Sequence, residues 1–404
     1  MELTDPYSHL TYCTNIHPGE SWEDVFAQLK ANIPELKQRL TPDNPFGIGL
    51  RLSAQAAKEL RHPQQMSALK KWLDDQNAYV FTMNGFPYGS FHHEVVKDHV
   101  YQPDWSSEKR FDYTLMLADI LAELVPGDLD GGISTSPISY KPWIDNSRQR
   151  ENVLQKACRQ LAKVALHMAN IEKEKGTELH LDIEPEPDCL IENTEETVSF
   201  FTDWLLPIGS DYLIENTSYA KSESKDLLLR HIRVCYDTCH FAVEYEDPRE
   251  TIDKFKNAGI RIGKVQISAA LKAQLKSPSQ RSTLGEKLAP FKEDVYLHQV
   301  KGKTTEGSTL ISYEDLPPAL PHIDEEKVSE WRIHYHVPIF VGEFGMLRST
   351  QDAIIESLEI FKAESDLCNH FEIETYTWSV LPEELKRNIV DSIEREFNWV
   401  LDAF

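Results

Sequence analysis

The amino-acid sequence predicts an α/β fold, a single closed (β/α)8 barrel of parallel strands wrapped by helices, and three observations carry that expectation. Short β-prone runs alternate with amphipathic helical stretches through most of the 404 residues. The runs are apolar on both faces, as expected of strands covered on both sides by helices. Acidic or amide side chains recur where the runs end, the rim at which a barrel gathers polar groups from separate strands. The length suits one domain over residues 1–404 with an insertion near the barrel mouth at 269–340. No Gly-rich loop follows the first strand, which counts against a dinucleotide fold and against a nucleotide cofactor.

Taken in order, the first strand falls within residues 8–17, and Ser21 with the Glu23 and Asp24 pair marks a helix start. Further strands are expected over 46–53 and 79–84, the latter ending in a Gly-Pro-rich turn. A polar segment with His92, His93 and Tyr101 precedes a helix over 111–124, a strand over 131–140 and a long helix over 148–175. The next strand, 178–187, is stopped by Pro185 and Pro187. Helical sequence from Glu195 leads to Ile232-Arg-Val-Cys-Tyr-Asp237, a helix over 248–258 and a strand over 264–268. The rhythm then fails, although 295–300 and 332–338 are also strand-like. The last barrel strand is expected over 370–378, followed by Pro382 and a closing helix.

Composition narrows the partners. With 66 acidic and 42 basic residues the formal charge is −24, which repels nucleic acids and anionic membranes. No stretch has the length and apolarity of a membrane span, and the N-terminus lacks a signal-peptide pattern, so a cytoplasmic protein acting on a small molecule is expected. The six cysteines lack the close pairing of a zinc ribbon or redox motif and read as packed thiols.

Glu184, Asp237, Gln266 and Glu374 stand at or near the ends of four successive barrel strands. A closed barrel brings them together, and three crowded carboxylates call for a compensating cation. Oxygen ligands suit Mn²⁺ or Mg²⁺; an imidazole in the shell admits Zn²⁺ or Co²⁺. His17 and His240 are candidates to hold substrate hydroxyls or move protons. His298, His334 and His336 cluster in the irregular segment, where one of them is a candidate to replace or join Gln266 at the ion; His336 is taken for that role, and His298 and His334 as substrate contacts. Glu372 shares a strand face with Glu374 and is expected beneath it. Glu186 and Glu343 sit in loop contexts and rank lower. Lys272, Lys276 and Arg281, and separately Arg348 ahead of a helix start, are candidate phosphate contacts whose plainer reading is a solvated basic surface.

Leu181-Asp-Ile-Glu-Pro-Glu186, Tyr236-Asp-Thr-Cys-His240, Lys264-Val-Gln-Ile-Ser268 and Glu372-Ile-Glu374 resemble the xylose-isomerase-like TIM-barrel superfamily of sugar (phosphate) isomerases and epimerases. Tyr12 to Gly19, Tyr296 to Val300, Trp331 to Pro338 and Ile373 to Trp378 further resemble EboE, the barrel member of a bacterial gene cluster linked to metabolite traffic. The superfamily resemblance implies one divalent ion held by Glu, Asp, His and Glu, carried here onto Glu184, Asp237, Gln266 and Glu374. It departs at Gln266, which binds metal more weakly than imidazole. It also implies that His240 faces substrate, with Glu184 and Glu374 as catalytic proton carriers on a sugar or polyol. The EboE resemblance implies a biosynthetic intermediate as ligand, partner proteins from the same cluster, and binding without turnover as the rival to catalysis.

Overall fold

A computed structural model describes residues 1–3, 8–89, 91, 95–127, 129–307, 309–381 and 388–404. His92, His93 and Pro382 lie outside the described residues. Eight parallel strands form the barrel: β1 (His9–Tyr12), β2 (Phe46–Arg51), β3 (Ala78–Asn84), β4 (Gly131–Thr135), β5 (Leu179–Ile183), β6 (Ile232–Asp237), β7 (Ile262–Ile267) and β14 (His370–Ile373). Their order is β1-β14-β7-β6-β5-β4-β3-β2, so the sequence-preferred last strand does close against the first. The β1/β2 seam is stitched by a side chain. Thr11 Oγ1 donates to the Gly47 carbonyl at 2.9 Å and accepts from the Gly49 amide at 2.8 Å, beside one parallel bridge from Cys13 to Gly49.

The flanking helices begin where the sequence provides caps. Ser21 makes a capping box with Asp24 ahead of the helix Trp22–Leu40. Asn146 caps the 29-residue helix Ser147–Lys175, which Gly176 ends in the left-handed region at φ 75°. The apolar faces of these helices pack on the outward faces of the strands, where Leu10, Ile48, Val80, Ile133, Leu181, Val234 and Val265 are fully buried.

The barrel interior is polar, unlike the branched aliphatic filling usual for this architecture. His180, Asp182 and Glu184 follow one another up one face of β5 and beyond its end; His370, Glu372 and Glu374 do the same on β14. In the middle layer Lys264 Nζ pairs with Glu372 Oε2 at 2.8 Å, both side chains fully buried, and also donates to the Met83 carbonyl at 3.1 Å. Glycine makes the room. A Cβ on Gly49 would stand 2.0 Å from Glu372 Oε1, and one on Gly263 would stand 1.9 Å from Asp182 Oδ1.

Between β7 and β14 the chain builds a second, antiparallel sheet from β8 (Ala269–Gln274), β9 (Val300–Thr304), β10 (Leu310–Tyr313), β11 (Val328–Val337), β12 (Glu343–Phe344) and β13 (Leu347–Ser349). Its longest strand, β11, alternates in the manner of a half-apolar strand. Trp331, Ile333, Tyr335 and Val337 are buried in the hydrophobic core. His334 and His336 take the other face and reach the cavity at the barrel mouth.

Candidate metal centre

Asp237 ends β6 and caps the short helix Thr238–Val243. Its Oδ1 accepts from the Cys239 amide at 2.7 Å, the His240 amide at 3.1 Å and Ser268 Oγ at 2.6 Å. Those three donors saturate one oxygen and fix the carboxylate. The other, Oδ2, is buried and has no hydrogen-bond partner among the described residues, as is true of Glu184 Oε2. Glu374 Oε1 accepts from Asn15 Nδ2 at 2.8 Å and Asn84 Nδ2 at 2.9 Å. One oxygen each from Glu184, Asp237 and Glu374 lies within 4.8 Å of the others.

An imidazole from outside the barrel reaches Asp237. His336 Nδ1 lies 2.6 Å from the Glu374 carbonyl, so Nδ1–H donates and Nε2 carries the lone pair. That Nε2 is buried without a partner among the described residues, and His336, Asp237 and His240 also form a ligand group within 4.8 Å. The backbone bond that orients a metal-binding imidazole is therefore in place.

Electrostatics agree with this geometry. Burial, then Glu374, Asp237 and Glu186, hold the Glu184 carboxyl well above its ordinary range; burial, then Asp237 and Glu372, do the same to Glu374. Burial also pulls the His336 imidazole down to about 4, leaving it neutral near pH 7. Crowded acids that resist ionisation, neutral imidazole and orphaned oxygens together fit a divalent cation.

A cavity opens above the group. Glu184, His240, His334, His336 and Glu374 line it, together with Asn15, Asn84, Tyr101, Glu186, Tyr296 and Tyr376. His240 Nδ1 faces the Pro185 carbonyl at 2.9 Å, and its Nε2 faces His334 Nε2 at 3.0 Å. His334 Nδ1 lies 2.8 Å from Gln299 Oε1, whose amide nitrogen donates to the Pro187 carbonyl at 3.1 Å. Glu186 Oε1 accepts from Tyr101 Oη at 2.7 Å, and burial pushes this carboxyl up to about 7.

Glu186 ranked low in the sequence because Pro185 and Pro187 erase the period-two signal that aims a strand side chain. Asn15, Asn84 and Tyr101 carried no charge to draw attention. Other expected residues stand apart from the cavity wall. Gln266 is fully buried with Oε1 accepting from Cys235 Sγ at 3.0 Å. His17 Nε2 meets Tyr12 Oη at 2.8 Å. His298 spends both nitrogens, one on the His334 carbonyl at 2.8 Å and one on Glu293 Oε1 at 2.6 Å.

The basic residues read as phosphate candidates are structural where their contacts are described. Lys272 pairs with Asp352 at 2.7 Å, and buried Arg281 donates to the carbonyls of Leu275, Ile323, Glu325 and Val328. Arg348 pairs with Glu343 at 2.6 Å on the surface. All six cysteines are buried free thiols.

Neither family models nor curated proteins give a match to this chain. Among solved structures, a xylose-isomerase-like TIM-barrel protein from Mycobacterium smegmatis, in complex with magnesium, superposes with TM-score 0.50 at 9% identity, covering 100% of this chain and 98% of that one. The fold is a xylose-isomerase-like TIM barrel. A D-tagatose 3-epimerase-like protein gives TM-score 0.48 at 11% identity over 98% and 96% of the two chains. The IOLI protein with a binding zinc atom gives 0.47 at 10% identity over 98% and 97%. No helix among the described residues is long and apolar enough to cross a membrane.

Proposed function

We propose that the barrel mouth binds one divalent cation through Glu184, Asp237, Glu374 and His336, and that the protein is an isomerase or epimerase of a polyhydroxylated small molecule such as a sugar or sugar phosphate. The observation that carries the reading is His336. Its oriented, unpartnered Nε2 beside Asp237 supplies the imidazole that β7, with Gln266, does not. The three carboxylates with one imidazole suit Mn²⁺, Mg²⁺, Zn²⁺ or Co²⁺. In this reading the whole chain is one domain, with the second sheet as the far wall of the site.

When bound, the cation polarises substrate oxygens and offsets negative charge that develops on them. Glu184 and Glu374 both line the cavity and are the carboxylates placed to take a proton from the substrate and return one. One of them removes the proton from a carbon beside the substrate carbonyl, giving an enediolate. For isomerisation the carboxyl that took the proton gives one to the neighbouring carbon; for epimerisation the other carboxyl, protonated from solvent, gives one to the opposite face. The carboxyl protons exchange with solvent, and no oxidant or reductant is consumed. His240 and His334 face the cavity to hold hydroxyl groups, and the aromatic rings of Tyr296 and Tyr376 exclude water.

The resemblance to EboE belongs to this reading, because each of its four motifs contributes to the cavity wall: Asn15, Tyr296, His334 with His336, and Glu374 with Tyr376. A biosynthetic intermediate and partner proteins of the same gene cluster follow from it. A panel of sugars and sugar phosphates incubated with Mn²⁺-loaded protein in D₂O tests the reaction. Deuterium should enter at the carbon beside the carbonyl and Glu184→Gln should abolish it. Ligand retention without exchange across the panel would replace catalysis with binding.

A further inference from the structure

At the amino-terminal end of the barrel, on the side away from the mouth, lies a second cluster of ligand-type side chains. Asp130 directly precedes β4, His180 sits near the start of β5 and His370 opens β14. We propose that Asp130, His180 and His370 form a second metal site, selective for a cation that accepts nitrogen ligands, Zn²⁺ above Mg²⁺.

One ligand atom from each of the three lies within 4.8 Å of the others. His180 Nε2 stands 3.4 Å from Asp130 Oδ2, and His370 Nε2 stands 3.2 Å from Asp130 Oδ1. Donors about 2.1 Å from a tetrahedral ion are roughly 3.4 Å apart, and each histidine nitrogen already stands at about that separation from one of the two Asp130 oxygens. His180 Nδ1 lies 2.6 Å from Asp182 Oδ1, which fixes the ring with Nε2 toward Asp130. A carboxylate behind a metal-binding imidazole orients the ring and raises its basicity.

Beyond these contacts with Asp130, His180 Nε2 and both nitrogens of His370 are buried without a hydrogen-bond partner among the described residues. Both histidine side chains are at most 1% exposed. Buried imidazole nitrogens are normally satisfied, and a cation at this point satisfies one on each ring. Gly132 keeps the space between them, because a Cβ there would stand 2.6 Å from His180 Cε1 and 2.9 Å from His370 Nδ1. Asp130 is held by Asn369 Nδ2 at 2.8 Å and Arg233 Nη1 at 3.2 Å, and its side chain is 18% exposed, which gives an ion a way in. Arg233 is shared between Asp130 and Glu178, so negative charge on Asp130 and Asp182 is left for a divalent cation on the histidines to offset.

Co²⁺ titration of chelator-treated full-length protein tests the site, since tetrahedral Co²⁺ absorbs visibly. Asp130→Asn and His370→Gln should each lose one equivalent of Co²⁺ with its visible band, and Asp237→Asn should keep that equivalent. Unchanged stoichiometry in both folded variants would overturn the proposal. Wild-type crystals soaked in Zn²⁺ and recorded at the zinc edge provide a readout that needs no variant. An anomalous peak among Asp130, His180 and His370 is expected, and its absence would overturn the site even if the variants do not fold.

Discussion

Replacing His336 by alanine separates the barrel's own carboxylates from the ligand that the second sheet contributes. The imidazole leaves the group it forms with Asp237 and His240, and the Glu374 carbonyl loses its 2.6 Å donor. Loss of an outer-shell partner alone typically weakens metal binding by about 10–100-fold, so loss of the ligand itself should cost at least about 100-fold, or roughly 2.7 kcal/mol. The unsatisfied carbonyl should cost a further 1–3 kcal/mol or so of folding stability. The strand itself should stay docked, because Tyr335 Oη still donates to the Val380 carbonyl at 2.9 Å. Mn²⁺ titration calorimetry, run in an Asp130→Asn background so that only the mouth contributes, reads the affinity. Equal affinity with and without the imidazole would refute the assignment of His336 as a ligand.

Further outcomes follow from the same contacts. Gln266→Met should leave Mn²⁺ affinity at the mouth nearly unchanged by calorimetry, because its amide oxygen is engaged by Cys235 Sγ; a 100-fold loss would return Gln266 to the shell. Near neutral pH, Mn²⁺ loading should release protons from Glu184 and Glu374, whose carboxyls sit well above their ordinary range, and affinity should rise with pH; calorimetry in buffers of different ionisation heat would show no release if the reading is wrong. Lys264→Met should destabilise by about 3–5 kcal/mol in urea, since it strands Glu372 fully buried, and adding Glu372→Gln should recover part of the loss. Buried Glu396, pushed up to about 8, keeps its proton in the folded state while the unfolded state loses it above about pH 4.3, so this group lowers stability as pH rises from there toward 8. Glu396→Gln should therefore stabilise by up to about 3 kcal/mol at pH 7 and by little at pH 4, as thermal unfolding at the two pH values would show.

The barrel was legible because its strands are short, apolar and regularly spaced, and period two correctly sent Glu184, Asp237 and Glu374 to one rim. The same period explains why Glu372 lies under Glu374, paired with Lys264. What the sequence left open was the direction of side chains outside the barrel rhythm. His298, His334 and His336 were indistinguishable as ligands by spacing alone, and only the course of β11 across the mouth separates the last two from the first. Gln266 occupies the strand position expected of a ligand, yet a neighbouring thiol takes its oxygen. The polar lower barrel was present in the alternation of His180 with Asp182 and of His370 with Glu372, but residues at the start of a strand carry no rim signal. Arg281 shows the converse limit: a charge in a Ser-rich stretch reads as solvated, whereas four carbonyls at the edge of the second sheet bury it.

Crystals soaked in Mn²⁺ and measured at the manganese edge address the central claim directly. An anomalous peak bounded by Glu184, Asp237, Glu374 and the Nε2 of His336 is expected. A Mn²⁺-saturated protein with no peak at the mouth, or with a peak that His336 does not touch, would contradict it.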